Sequence, residues 1–224
     1  MRITTSIFTL LVFAATAAYA DDAYTVKSEK VEPPKELAAG ISAVLSDQAL
    51  VVQSDKGATV ATIWVRKALP SKAAPEQIKS GLTYREIQQG TLVGAIQFPQ
   101  VWNDYRNQRI AAGVYTLRMA LQPENGDHQG TAPYNDFCLL SPAAKDTKPD
   151  TMDVKELHEL SSFAPGGSHP GVLLLFPNTK PTDAAKIESK PMGIQVLYTK
   201  LSVEAGSEKT ALGFGFVVAG HAKE

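Results

Sequence analysis

The chain is poor in cysteine, in histidine and in any excess of charge. One cysteine, Cys138, among 224 residues excludes an internal disulfide, so the core has to hold by packing alone. Lys and Arg together number 22 against 23 Asp and Glu, which leaves no basic stripe of the kind nucleic acid requires. Past residue 20 no apolar run approaches the roughly 20 residues of a membrane-spanning helix. A glycine-rich phosphate loop opening a helix is missing, and so is any internal repeat. Strands and helices do not alternate in a regular rhythm, which argues against a parallel doubly wound sheet.

What is present begins with the leader. Arg2 supplies a positive start, Ile7–Ala15 is apolar, and Ala18-Tyr19-Ala20 is a small-residue cleavage pattern before Asp21. These features predict a secretory signal peptide over residues 1–20. The mature chain then carries 21 basic and 23 acidic residues, a net of −2. No lipid-modifiable cysteine follows the leader. The expected location is therefore the periplasm or the cell exterior. Residues 21–34 are polar, end in Pro33-Pro34, and read as a flexible lead-in. Residues 35–224 read as a single domain.

The stretch Arg109–Pro142 organises that domain. From Val114 to Leu121, Tyr115, Leu117, Met119 and Leu121 alternate with Val114, Thr116, Arg118 and Ala120, the mark of a strand with one buried face. Pro123 ends it, a polar loop follows, and Phe137–Leu140 forms a second short strand. Similar alternation marks Ala58–Lys67, Thr91–Phe98, Gly193–Val203 and Ala211–Val218, and Ala49–Val52 and Leu82–Ile87 also read as strands. Val172–Phe176 is continuously apolar and reads as a strand buried on both faces. In the last strand Gly213 and Gly215 face away from the large side chains, so something packs closely there, either another strand or a ligand. Leu69–Gly81 and Pro177–Pro191 read as loops. Lys35–Leu45 has near-helical apolar spacing. Asp153–Phe163 is the best helix, with Asp153 as cap, Glu156 three residues later, and Val154, Leu157 and Leu160 as a stripe. The expected fold is mainly β, an antiparallel β-sandwich with one short inserted helix.

Candidate chemistry collects in the loops. Trp102, Tyr105 and Arg106 lie in the polar stretch after the Pro99 stop, and Tyr134 lies in the long loop before Phe137. Loop aromatics beside Asn, Asp and Arg suit a sugar ring or a protein partner; alternatively, Trp102 plugs an open end of the sandwich. The expected partner of a binding face is an envelope protein or a glycan. A second set, Asp127 and His128 in the long loop, Asp136 beside it and His169 before the buried strand, offers imidazole and carboxylate ligands for a divalent metal. Its spacing matches no fixed metal motif, and the alternative is that these groups bond their own loops. Ser168 falls short of a nucleophile elbow, since Pro170 stands where the last glycine belongs. Cys138, between Phe137 and Leu139, reads as a buried small hydrophobe and not a reactive thiol. A non-catalytic binding module is the first functional expectation, and a structural or hydrolytic metal site is the second.

The hexapeptide AGVYTL at Ala112–Leu117 resembles the glycine-x-tyrosine-x-leucine strand start of transthyretin-like and carboxypeptidase-regulatory β-sandwiches. The longer run GVYTLRMALQPENGDHQGTAPYNDFCLLSPAAKD is similar to a segment of uncharacterised exported bacterial proteins. These resemblances imply a β domain and export, and they carry over no catalytic residue.

Overall fold

The alternating segments become strands, and the strands form two main sheets that share a core. The computed structural model describes residues 24–123, 132–167 and 169–222. Its strands are β1 (Thr25–Lys30), β2 (Gln48–Gln53), β3 (Thr59–Val65), β4 (Leu69–Ser71), β5 (Leu92–Phe98), β6 (Trp102–Asn103) and β7 (Arg109–Ile110), followed by β8 (Gly113–Leu121), β9 (Asp136–Pro142), β10 (Gly171–Leu174), β11 (Lys186–Lys190), β12 (Ile194–Ala205) and β13 (Glu208–Ala219). Three helices accompany them: α1 (Ala39–Val44), α2 (Pro75–Ser80) and α3 (Val154–Ser161). The larger sheet has seven strands in the order β1-β2-β3-β5-β8-β9-β10 and is antiparallel throughout. The smaller sheet joins β11, β12 and β13 antiparallel, with β4 added parallel to the far end of β12. A two-stranded hairpin, β6-β7, stands apart.

The period-2 pattern decides which side chains enter the core. Tyr115, Leu117 and Met119 of β8 point inward and meet Ile63 of β3, Ile96 of β5, Leu197 and Leu201 of β12, and Phe214 and Phe216 of β13. Cys138 is fully buried in this core, and burial pushes its thiol well above the ordinary thiol range. A second cluster covers the outer face of β8, β9 and β10, where Leu157 of α3 packs with Ala120, Leu139, Val172 and Leu174. On the outer side of the first strands, Ile41 of α1 packs against Trp64, Leu92 and Ala95. β10 is therefore apolar on both faces because it is buried on both.

At one edge the two sheets are stitched together. Leu175, just past β10, bridges to Phe216 of β13, and Phe176 N–H donates to the Gly215 carbonyl at 2.7 Å. The chain at Phe176–Asn178 then crosses the glycine face of β13. A methyl group on Gly213 would stand 2.2 Å from the Asn178 carbonyl oxygen, so the close-packing neighbour expected there is another stretch of backbone. Gly213→Ala is expected to lower stability by about 1–3 kcal/mol, read as a shifted denaturation midpoint. Gly167→Ala, where a methyl group would meet nothing within 4 Å, is the matched control and should be close to neutral.

Four expectations need correction. Thr25–Lys30, read as part of a flexible lead-in, is an edge strand in full register with β2. Leu82–Ile87, read as a strand, contains a single 3-10 turn at Tyr84–Glu86. Thr83 and Glu86 make that turn: Glu86 Oε2 accepts from Thr83 N–H at 2.7 Å, and Thr83 Oγ1 accepts from Arg85 N–H at 3.2 Å. The stretch Leu69–Gly81, read as loop, holds β4 and α2. The stretch Pro177–Pro191, also read as loop, holds β11.

Candidate functional site

The outer face of β8, β9 and β10 carries a cleft of about 660 Å³. Ala120 and Leu121 of β8, Leu139 of β9 and Val172 of β10 give it an apolar floor. Arg106, His158 and His169 stand on its wall with Gln122. Each arrives from a different element. His158 follows Leu157 on α3, whose N-terminus is fixed by Asp153 accepting from Lys155 N–H at 2.8 Å and Glu156 N–H at 3.3 Å. Arg106 lies in the tip of the β6-β7 hairpin, and His169 lies just before β10.

A buried carboxylate locks two of these elements together. Asp104 is fully buried. Its Oδ1 accepts from the N–H groups of Arg106 and Gln108, both at 2.9 Å. Its Oδ2 accepts from Gln108 Nε2 at 2.8 Å and from Val172 N–H at 3.1 Å. Gln108 Nε2 also donates to the Pro170 carbonyl at 2.9 Å. The hairpin tip that carries Arg106 is thus tied to the segment that carries His169. Burial raises the Asp104 pKa, and the four hydrogen bonds act in the opposite direction. Asn107 takes the left-handed conformation, φ 61°, which asparagine tolerates well, and closes the tip.

The four residues expected to form one binding face are divided. Trp102 is only 7 % exposed: its indole N–H donates to the Val218 carbonyl at 2.8 Å, and its ring stacks on Phe98 at 4.6 Å between centroids. Tyr105 is also buried, in the outer cluster. The expected exposure of both is corrected: the Asp104 clasp folds the hairpin back onto the sheets and turns both rings inward. Arg106 is exposed and reaches the cleft. Tyr134 is half-buried, edge-on to Phe176 at 4.7 Å, and lines a separate cavity of about 380 Å³ with Tyr198, Met192 and Lys190.

The metal set is divided as well. Asp127 and His128 lie outside the described residues, as does Ser168. Asp136 lines a cavity of about 230 Å³ with Arg85 and Asn178, whereas His169 lines the large cleft beside His158. Burial raises the Asp136 pKa and Arg85 partly offsets this. Its Oδ1 lies 3.9 Å from Arg85 Nε and makes no hydrogen bond. Among the described residues no group of three His, Cys, Asp or Glu side chains is placed to hold a metal ion.

No family model matches this chain, and neither a curated protein nor a solved structure matches it. Among the described residues no helix is long and apolar enough to cross a membrane.

The closest-knit polar site is structural and lies beside the cleft. Arg118 of β8 and Asp146 are both fully buried. Arg118 Nε and Nη2 donate to the two Asp146 oxygens at 2.6 and 2.8 Å. Nη1 donates to the carbonyls of Gly90 and Asp150 at 2.7 and 2.8 Å, and Nη2 donates to that of Lys148. Thr116 Oγ1 donates to Asp146 Oδ2 at 2.5 Å. All five guanidinium N–H groups are used, and residues 146–150 are pinned over the sheet. Sequence reading passed over Asp104, His158 and Asp146 as site or scaffold residues.

Proposed function

We propose that the chain is an exported, non-catalytic binding module whose ligand enters the cleft on the outer face of β8, β9 and β10. The observation that carries this reading is the Asp104 clasp. It fixes Arg106 against the segment bearing His169 before any ligand arrives, and pre-organised polar groups over an apolar floor are the usual make-up of a binding pocket. The cleft volume of about 660 Å³ falls in the range of small-molecule sites, roughly 300–1,000 Å³. The secretory pattern at residues 1–20 supports export to the periplasm or the cell exterior, where the ligand would be an envelope component. The burial of Trp102 and Tyr105 removes two of the three rings that favoured a glycan, and the third, Tyr134, lines a different cavity. The separation of Asp136 from His169 gives the metal alternative no support among the described residues.

The test uses protein produced with residues 1–20 in a bacterial host and recovered from the periplasm, with Asp21 as its first residue. A small-molecule library is screened by thermal shift against this protein and against an Ala120→Trp variant, which fills the cleft. Ligand linkage gives about 2.7 kcal/mol of stabilisation at a hundredfold excess over Kd. Compounds that raise the Tm of the parent and leave the variant unmoved are expected. A library that shifts both proteins alike, or neither, would remove the cleft reading.

A further inference from the structure

We infer that the cleft takes a monomeric anionic amphiphile: a carboxylate or phosphate monoester on an alkyl or acyl chain. The inference rests on the reading of the cleft as a binding site and adds the chemistry of its occupant. Arg106, His158 and His169 converge on one cavity, and among its described lining residues none is a carboxylate. Guanidinium is a permanent cation with a fork that matches carboxylate and phosphate oxygens. An imidazole offers an N–H donor in either protonation state. The wall therefore presents donors to an anion from three separate elements.

The floor sets the rest of the ligand. Ala120, Leu139 and Val172 lie buried at its base, and Leu121, Pro123 and Pro170 leave apolar surface open above them. None offers a hydrogen-bonding side chain, so a free inorganic anion would leave that open surface unfilled. A chain of methylene groups laid on that surface is stabilised by removal from water, about fourfold in affinity for each group fully buried. Neither half suffices alone. The charged rim selects the head, and the apolar floor holds the chain. The rim keeps its geometry because the N–H of Arg106 and the Pro170 carbonyl share the Asp104–Gln108 clasp.

Isothermal titration of the chain from Asp21 with octanoate, octyl phosphate, 1-octanol, acetate and inorganic phosphate tests this. Octanoate and octyl phosphate are expected to bind at least about tenfold more tightly than 1-octanol, the difference of one charge-assisted hydrogen bond. Acetate and inorganic phosphate are expected to give no heat. The double variant Arg106→Gln/His169→Gln should bring octanoate down to the level of 1-octanol while its urea midpoint stays at the parent value. Equal binding of 1-octanol and octanoate would overturn the anion assignment and leave the cleft a binding site. Inorganic phosphate or acetate binding as well as the chained ligands would overturn the amphiphile. Absence of binding by all five, while the library screen still finds compounds blocked by Ala120→Trp, would overturn the ligand class alone.

Discussion

Arg118→Met is expected to lower the unfolding free energy by about 3–5 kcal/mol, the usual cost of stranding one partner of a buried ion pair. The substitution keeps an unbranched apolar stem in the same channel, so the loss comes from polar groups and not from a void. Asp146 would be left with a buried charge and, among the described residues, only Thr116 as a side-chain donor. The carbonyls of Lys148 and Asp150 would lose the N–H groups that serve them, and that of Gly90 would keep only Met152 N–H at 3.2 Å. The double variant Arg118→Met/Asp146→Leu should recover part of the loss, because the stranded charge is gone. Recovery should be incomplete, since the Lys148 and Asp150 carbonyls still lack donors. Urea denaturation of the parent, both single variants and the double variant gives the coupling directly. Both partners are fully buried, so 1 M salt should leave the coupling nearly unchanged. A loss under about 1 kcal/mol for Arg118→Met, within the range of an exposed pair, would mean that residues 146–150 lift off and let water in, and the pinning account would fail.

The same ion pair shows where the sequence was legible and where it was not. Alternation in Val114–Leu121 placed Tyr115, Leu117 and Met119 on one face and Thr116 and Arg118 on the other, and the sheet follows that division. What alternation could not say is that the second face is also covered. Arg118 reads as a solvated arginine until Asp146 is brought over it by a loop whose own sequence, Ala143–Asp150, is merely polar. Edge strands were missed for a related reason. Thr25–Lys30 and Lys186–Lys190 have mostly exposed or half-exposed side chains, so they lack the apolar beat that betrays a strand, and charged edges of this kind discourage pairing with other chains. Leu82–Ile87 misled in the opposite sense: its apolar spacing resembles a strand, while the Thr83–Glu86 pair that makes the turn was in plain view as a capping box. In the candidate site, Arg106 and His169 were both singled out, yet from separate hypotheses. Their meeting in one cleft depends on Asp104, whose acceptor reaches Val172 68 residues away, and no local pattern records a partner at that distance. Trp102 and Tyr105 were read as exposed because their neighbours are polar, and the polar neighbours turn out to be the clasp that buries them.

Asp104→Ala is expected to cost on the order of 3 kcal/mol, because four N–H donors lose their acceptor at once and each buried donor left unpaired costs about 1–3 kcal/mol, not additively. Asp104→Asn should cost less. Its amide oxygen can keep Arg106 and Gln108 N–H, but its NH₂ then faces the N–H of Val172. The pH dependence of that cost has a definite sign. Burial raises the Asp104 pKa in the folded chain, so between the ordinary carboxylate value of about 3.9 and the raised one the folded state holds more protons than the unfolded state. Stability then falls as pH rises through this window. Asparagine has no proton to lose, so the parent's advantage over Asp104→Asn should be largest below the ordinary carboxylate range and should shrink as pH climbs past the raised value. Shared groups, Asp136 among them, cancel in the comparison. Urea midpoints of the pair measured from pH 3 upward give the trend. An advantage that grows with pH would mean that the four hydrogen bonds outweigh burial and hold the carboxylate below its ordinary range. The same variant links the scaffold to the cleft: once the hairpin tip is no longer tied to the segment before β10, Arg106 and His169 lose their fixed relation, and octanoate affinity should fall in Asp104→Ala although no side chain of the cleft wall has been changed.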